Sequence, residues 1–157
     1  MRELPHTASC FVCGESNVSG LKIRFETNGE NTCARFVPRL EHIGFKQTVH
    51  GGILATLLDE IMVWACAVRT RRFSYCAELT VRYQSPVRPG EEVLLTGELV
   101  ANRRNKLFEA RGEIRNAAGR LLATATGKYL PIKEIEARAM LDDFIGDTKG
   151  WFDAPGS

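Results

Sequence analysis

The sequence has little net charge, an odd number of cysteines and no unbroken apolar run of membrane-spanning length. Its 21 Lys and Arg against 19 Asp and Glu give a formal charge of +2, which is too small to favour general nucleic-acid binding. Five scattered cysteines argue against a disulfide framework. No run reaches the roughly 18 to 20 apolar residues of a membrane span, and no apolar signal core follows Met1. We therefore expect a cytoplasmic protein that binds neither nucleic acid nor membrane.

What the chain does contain is the composition of an ordinary globular protein, with 44% hydrophobic and 25% charged residues. No internal repeat or low-complexity block interrupts it. A length of 157 residues suits one domain with a real core. We predict a single domain over 1–157, in which 1–20 form an N-terminal segment and 131–157 a C-terminal tail.

Apolar periodicity and turn residues predict one long helix among many strands. The predicted elements are a hairpin of 21–26 with 32–37, a helix from Gly51 or Gly52 to about Arg69, strands over 74–87, 92–101, 107–115 and 121–130, a short amphipathic helix over 133–144, and a loosely held tail from Gly146. Strands joined by such short turns pair antiparallel. The fold class is therefore α+β, with one long buried helix covered by an antiparallel sheet of five or six strands.

The strand over 74–87 has a clear two-residue period. Ala77, Leu79, Val81 and Tyr83 share one parity, and Cys76 shares the other with Glu78, Thr80 and Arg82. Strict alternation predicts that the apolar set faces the helix and that Cys76 faces away from it.

The predicted long helix is apolar on every side, yet it contains two adjacent acids, Asp59 and Glu60. Burying a carboxylate costs free energy unless it is paired, hydrated or used. His50, Gly51 and Gly52 stand at the start of the same helix. Either acid is a catalytic candidate, and the alternative is a buried partner of an arginine.

These motifs, in this order, resemble the hotdog-fold acyl-CoA thioesterases, and most closely those of the phenylacetic-acid-degradation type. The resemblance runs from Cys10 to about Leu130. It rests on Cys10–Leu21 (CFVCGESNVSGL), the His50–Met62 block, Val81–Val87 (VRYQSPV) with Pro89-Gly90-Glu91 behind it, and Gly119–Lys128. It implies hydrolysis of an acyl-CoA to a free acid and coenzyme A, without metal or redox cofactor, by a homodimer or a dimer of dimers. The strand over 74–87 would be the joining edge.

The resemblance assigns the acidic catalytic role to Asp59, nine residues after His50, and leaves Glu60 as its rival. Free N–H groups at a helix N-terminus stabilise a developing oxyanion, so we expect the N–H of Gly51 or Gly52 to polarise the thioester carbonyl. The alternative is that these glycines only permit a tight entry turn. We predict a positioning role for His50, or a purely structural one.

Further candidates surround these residues. His42 precedes the same loop, where relatives carry an Asn or Gln. Cys76 stands where many relatives carry a Ser or Thr that positions water, and a thiol is the weaker hydrogen-bonding group. Arg88, Arg103 and Arg104, with Lys106, are candidates for the phosphates of coenzyme A. The alternative is that these cations are solvated loop charges.

Two other interpretations stay open. Cys10 and Cys13 have the spacing of half a zinc site, but the sequence offers no second pair, with His6 as the only nearby addition. We therefore predict no metal site. A noncatalytic acyl-CoA binding module on the same fold is the alternative function, favoured by Cys76 and opposed by Asp59. A hydratase would need a different arrangement of His and Asp.

Overall fold

The computed structural model describes residues 1–151. Its elements are β1 (Arg2–Glu3), β2 (His6–Thr7), β3 (Phe25–Thr27), β4 (Asn31–Phe36), α1 (Gly51–Thr70), β5 (Ser74–Tyr83), β6 (Val93–Arg103), β7 (Leu107–Asn116), β8 (Leu121–Pro131), α2 (Glu134–Ala139) and β9 (Phe144–Ile145). Short 3-10 turns lie at Leu40–His42 and Leu141–Asp143. The helix α1 packs against one large sheet, as an α+β protein requires.

The sheet has seven strands in the order β1-β3-β4-β6-β7-β8-β5, and β2 pairs with β9 in a separate ribbon. All pairs are antiparallel, which confirms the predicted α+β arrangement. The sheet is wider than the predicted five or six strands. The extra strand is the two-residue β1, which is too short to carry a periodic pattern and is recognisable only by its pairing with β3.

Helix α1 confirms the predicted boundaries to within a residue or two. Ten of its 20 residues are buried, because the sheet covers its apolar surface. By length and composition alone α1 is apolar enough to cross a membrane, contrary to the expectation from the longest apolar run. Its burial is that of a core helix, which passes the same test.

The helix lies very close to the sheet where β6 carries Gly97. A Cβ atom at that position would lie 2.7 Å from the Ile61 carbonyl oxygen. On the neighbouring β4, the Thr32 hydroxyl donates a hydrogen bond to the same oxygen at 3.1 Å. The glycine and the threonine together fix the depth of α1, and with it the position of the two acids that immediately precede Ile61.

Most of the first predicted strand, 21–26, lies outside the sheet. The strand that does join the sheet, β3, begins only at Phe25. The N–H of Leu21 donates to the Phe11 carbonyl at 2.8 Å, and that of Ile23 donates to the Val12 carbonyl at 3.0 Å. The alternation over 21–26 correctly predicted extended backbone. The hydrogen bonds of its first half, however, go to the N-terminal segment and not to a sheet strand. The result ties the turn at 10–13 to the body of the protein.

The sequence predicted a loosely held tail from Gly146. The part of the tail that the structure describes is instead packed in place. Trp151 is only 3% exposed. Its ring meets that of Trp64 edge-on at 5.7 Å and stacks on Phe73 at 6.3 Å, and the Arg71 guanidinium lies 5.2 Å from its centre. Apolar burial therefore overrides the glycine and aspartate content of 146–151. The rest of the predicted tail, 152–157, lies outside the described residues.

Candidate active site

Asp59 lies near the middle of α1, partly buried, with a tyrosine hydroxyl on its carboxylate. The Tyr129 Oη donates a hydrogen bond to Asp59 Oδ1 at 3.0 Å and lies 3.4 Å from the Asp59 carbonyl oxygen. Burial, followed by the charge of Asp59, raises the pKa of Tyr129. Tyr129 therefore stays protonated and is a fixed donor that holds the carboxylate in one orientation.

Tyr129 is the main site residue that the sequence analysis missed. It is fully buried on β8, where the residues before it on the same face are small: Ala123, Ala125 and Gly127. A Cβ atom on Gly127 would lie 2.5 Å from the Tyr129 ring, so the ring occupies the space that the glycine leaves. The signal was available, since period-two alternation of 123, 125, 127 and 129 assigns this hydroxyl to the helix side.

Cys76 joins the same group, although alternation predicted that it faces away from the helix. The register of β5 against β8 shifts between Cys76 and Glu78, so Ala77 is an extra, bulged residue. The bulge reverses the parity, so the exposed Cys76 lies on the side of Asp59, while the later Leu79 and Val81 pack against the core. A bulge changes which residues share a face, so alternation alone misplaces Cys76, and its predicted role at the substrate site stays a prediction.

The Cys76 thiol is a neutral hydrogen-bond donor at this place. Its pKa is raised to about 11 by burial, by the negative charge of Asp59 and by its hydrogen bond to the Asp59 carboxylate. Asp59 thus has two donors beside it, the Tyr129 hydroxyl and the Cys76 thiol. A thiol held protonated in this way is not prepared to act as a nucleophile.

The mouth of α1 is capped by its own histidine. His50 Nδ1 accepts the N–H of Gly52 at 2.8 Å, so the His50 ring is a cap that carries no Nδ1 proton in this arrangement. Within residues 1–151, the N–H of Gly51 has no hydrogen-bond acceptor. The Gly51 amide is therefore the free donor at the positive end of the helix, whereas the Gly52 amide is occupied.

Tyr83 closes one side of this mouth and was also missed. Its Oη donates to the Gly51 carbonyl at 2.8 Å, and its ring would lie 3.2 Å from a Cβ atom on Gly51. The side chain is 52% exposed. It therefore places a partly exposed aromatic wall beside the free Gly51 amide.

His42 supports the mouth from behind. It is 6% exposed, packs on the Phe36 ring at 5.5 Å, and accepts the Arg39 N–H on Nδ1 at 2.9 Å. Burial, then the charge of Arg39, lowers its pKa, so it is neutral. Its carbonyl accepts the His50 N–H at 2.8 Å. The structure therefore gives His42 a loop-holding place rather than a place beside Asp59.

Glu60 faces a different surface from Asp59, as two adjacent helical residues must. Its carboxylate lies with the thiols of Cys10 and Cys13, all three within 4.8 Å of one another. Burial, followed by the charges of Cys10 and Asp59, raises the pKa of Glu60 to about 8. The arginine partner that the sequence offered as an alternative is absent for both acids among the described residues.

The arginine candidates lie at opposite ends of the molecule. Arg103 and Arg104 belong to a turn beside the C-terminal end of α1, where Arg72 donates to the Asn105 carbonyl at 3.5 Å. Arg88 is near the N-terminal end, since its neighbour Val87 accepts the Val49 N–H at 2.8 Å. A 20-residue helix is about 30 Å long, so the two groups cannot hold one phosphate within a single chain.

The two proposed catalytic ends are separated along α1. Gly51 and Asp59 lie eight residues apart, or about 12 Å at 1.5 Å per residue. An oxyanion donor and an attacking oxygen each lie about 3 Å from the same carbonyl group, so together they span at most about 7 Å. Asp59 and Gly51 of one chain therefore cannot act on one thioester.

Known proteins resemble this chain in sequence. Residues 46–123 match the family model of the thioesterase superfamily. Acyl-coenzyme A thioesterase 13 from Homo sapiens is 29% identical over 84 residues, which are 53% of this chain and 60% of that protein. The chain therefore spans less than two thirds of the length of that relative.

Solved structures show the same fold. A crystal structure of a thioesterase superfamily protein superposes with a TM-score of 0.72 and 25% identity, covering 77% of this chain and 62% of the other. The Escherichia coli PaaI protein from the phenylacetic acid degradation operon gives a TM-score of 0.65 at 20% identity, covering 72% and 81% of the two chains. The class defined by this architecture is the hotdog fold, as the sequence resemblance implied. Over residues 46–123 the chain is similar to the thioesterase superfamily, and its fold is that of solved proteins of that superfamily.

Proposed function

We propose that this protein hydrolyses an acyl-CoA thioester to a free carboxylic acid and coenzyme A. The observation that carries the proposal is the Asp59 carboxylate on the core helix, oriented by the Tyr129 hydroxyl at 3.0 Å. A carboxylate fixed in a partly buried site is suited to deliver attack on a carbonyl carbon, directly or through water. The similarity to acyl-coenzyme A thioesterase 13 supports coenzyme A as the leaving group.

The free amide of Gly51 is the oxyanion donor in this proposal. It stands at the positive end of α1, where developing negative charge is stabilised. His50 acts as a positioning residue, because its ring occupies the Gly52 N–H at 2.8 Å and leaves the Gly51 N–H as the available donor. In attack through water, Asp59 takes the water proton as charge forms on the thioester oxygen, and collapse of the intermediate expels the thiolate of coenzyme A, which takes up that proton. In direct attack, Asp59 displaces the thiolate to form an acyl–aspartyl anhydride, which water then hydrolyses to the free acid.

The active site forms between two copies of the chain in this proposal. The separation of about 12 Å along α1 prevents Gly51 and Asp59 of one copy from meeting at one carbonyl. Strand β5 is at the edge of the sheet, and seven of its ten residues are exposed. Edge-to-edge pairing of two β5 strands covers this surface. It also brings the Asp59 side of one copy toward the helix mouth of the other.

The alternative is a noncatalytic module that binds acyl-CoA, and Cys76 favours it. A neutral thiol beside Asp59 is a weaker partner for water than the hydroxyl found in many relatives. Under that alternative Asp59 is a partly buried carboxylate whose donors in the described part of the chain are Tyr129 and Cys76. Binding of acyl-CoA would then be measurable without turnover.

Thiol release from short, medium, long and aromatic acyl-CoAs tests the proposal. We expect turnover of at least one class, and a loss of about 10²- to 10⁴-fold in kcat for Asp59→Asn, which removes the charge and keeps the shape. Glu30→Gln, an exposed carboxylate in the β3–β4 turn, is the matched control and keeps the wild-type rate. Binding without turnover of any class would establish the alternative, whereas equal turnover by Asp59→Asn and wild type would refute the role of Asp59.

A further inference from the structure

A second cluster of reactive side chains lies on the other side of α1 from the Tyr129 contact. One ligand atom each from Cys10, Cys13 and Glu60 lies within 4.8 Å of the other two. Cys13 is buried, and the other two are partly buried. Two thiols and a carboxylate are donors that zinc accepts.

The turn that carries the two cysteines is shaped to present sulfur. The Val12 N–H donates to Cys10 Sγ at 3.2 Å, and the Gly14 N–H donates to the Cys10 carbonyl at 2.8 Å. A Cβ atom on Gly14 would lie 2.1 Å from that carbonyl oxygen, so only glycine fits after Cys13. An amide donor on sulfur stabilises the thiolate, which is the form that binds metal.

A neighbouring hydroxyl completes the surroundings of Cys13. Thr7 Oγ1 lies 3.7 Å from Cys13 Sγ and accepts the N–H of Cys10 at 3.0 Å. Because that amide occupies an acceptor position, the Thr7 hydroxyl proton is free to point at the Cys13 sulfur. Outer hydrogen bonds of this kind orient metal ligands.

Glu60 is a partly buried carboxylate on the largely apolar core helix. Among residues 1–151 no side chain or backbone group donates a hydrogen bond to its carboxylate, and no cation pairs with it. A partly desolvated carboxylate that has no protein donor is stabilised by a nearby cation. The Glu60 carboxylate lies with the Cys10 and Cys13 thiols, and the Arg24 guanidinium at this turn donates to the Cys13 carbonyl at 2.9 Å rather than to the carboxylate.

We propose that Cys10, Cys13 and Glu60 bind one zinc ion. Tetrahedral zinc with Zn–S of about 2.3 Å and Zn–O of about 2.1 Å places its ligand atoms about 3.6 to 3.8 Å apart. The observed cluster, within 4.8 Å, reaches that geometry by small side-chain rotations. Binding releases the two thiol protons and leaves a fourth position for water.

The ion would join the N-terminal turn to the core helix one residue from Asp59. The sequence pointed away from zinc because it offered no second pair, and His6 is engaged with Glu15 at 2.9 Å. The third ligand comes from α1, which only the fold brings near. This proposal is independent of thioester hydrolysis, since neither Asp59 nor Gly51 takes part.

Cobalt and zinc titrations of the full chain test the site. The protein is stripped of metal by a chelator, kept reduced, and titrated with Co²⁺, which reports thiolate ligation by its sulfur-to-cobalt charge-transfer absorption. We expect one equivalent to bind, with absorption of a tetrahedral site, and Zn²⁺ to displace it stoichiometrically. The melting temperature rises with zinc, because the ion binds the folded chain.

Matched variants assign the ligands. Cys10→Ser and Cys13→Ser abolish the charge-transfer band, and Glu60→Gln weakens zinc binding by about 10-fold or more. Cys33→Ser, on β4, leaves binding unchanged. Since a buried Cys13→Ser chain could misfold, the near-isosteric Glu60→Gln variant and the wild type carry the test. Three results would overturn the proposal. They are no metal uptake by the reduced wild type, a Cys10–Cys13 disulfide as the only chemistry of the pair, and equal zinc affinity of Glu60→Gln and wild type.

Discussion

Replacing Gly51 with proline removes one N–H from the protein and little else. Proline is well tolerated at the first position of a helix, because that N–H has no partner within the helix. His50, the residue before it, has φ −59° and ψ 133°, which is the conformation that a following proline requires. The variant therefore tests the oxyanion donor with the fold kept.

The magnitude follows from the role of that donor. Loss of one oxyanion-hole N–H lowers kcat by about 10²- to 10³-fold, or about 3 to 4 kcal/mol of transition-state stabilisation. The added ring carbon also meets Tyr83, which would lie 3.2 Å from a Cβ atom at this position. That contact requires a shift of a few tenths of an ångström, and it is a separate effect that needs its own control.

Gly51→Ala is the control, because alanine brings the same Cβ atom and keeps the N–H. The assay is thiol release from the best acyl-CoA substrate, with kcat and KM compared between the proline and alanine variants. We expect similar melting temperatures and similar KM, with kcat of Gly51→Pro lower by about 10²-fold or more. A folded proline variant within about tenfold of the alanine variant would refute the assignment of the Gly51 amide.

Four further predictions follow from the same contacts. Mixed dimers of one Asp59→Asn chain and one Gly51→Pro chain are isolated by two tags. If the site joins two copies, they restore up to half of the wild-type rate. A site within one chain gives no recovery. Tyr129→Phe lowers kcat by about 10-fold or more, because the carboxylate loses a hydrogen bond worth about 1.5 to 3 kcal/mol, and an unchanged rate contradicts its positioning role. Iodoacetamide at pH 8 alkylates Cys76 slowly, since its pKa is about 11. In Asp59→Asn that pKa falls, because a negative charge no longer opposes the thiolate. Alkylation of Cys76, measured by mass spectrometry, must therefore accelerate in the variant. Trp151→Ala destabilises the fold by about 3 to 5 kcal/mol in urea denaturation, and a loss below about 1 kcal/mol would show that its ring packing contributes little.

The sequence by itself determined the long helix, the antiparallel strands after it and much of the helix mouth. Apolar periodicity defined α1 nearly to the residue, and short turns made the later strands antiparallel, because both features depend on neighbours a few positions away. The spacing of His50, Gly51 and Asp59 along one helix was equally local. The length of α1 between Gly51 and Asp59, about 12 Å, then follows from helix geometry alone.

Only the tertiary structure decided which side chains meet. The bulge at Ala77 turned Cys76 toward Asp59, and strand register placed Tyr129 over the same carboxylate. Glu60 was placed beside Cys10 and Cys13, although the N-terminal turn and α1 are far apart in sequence. These contacts join distant segments, so they depend on register and packing depth, which no local pattern encodes. The tertiary structure also decided which of the Gly51 and Gly52 N–H groups bonds to the His50 ring. It is the Gly52 N–H, so the Gly51 N–H is free.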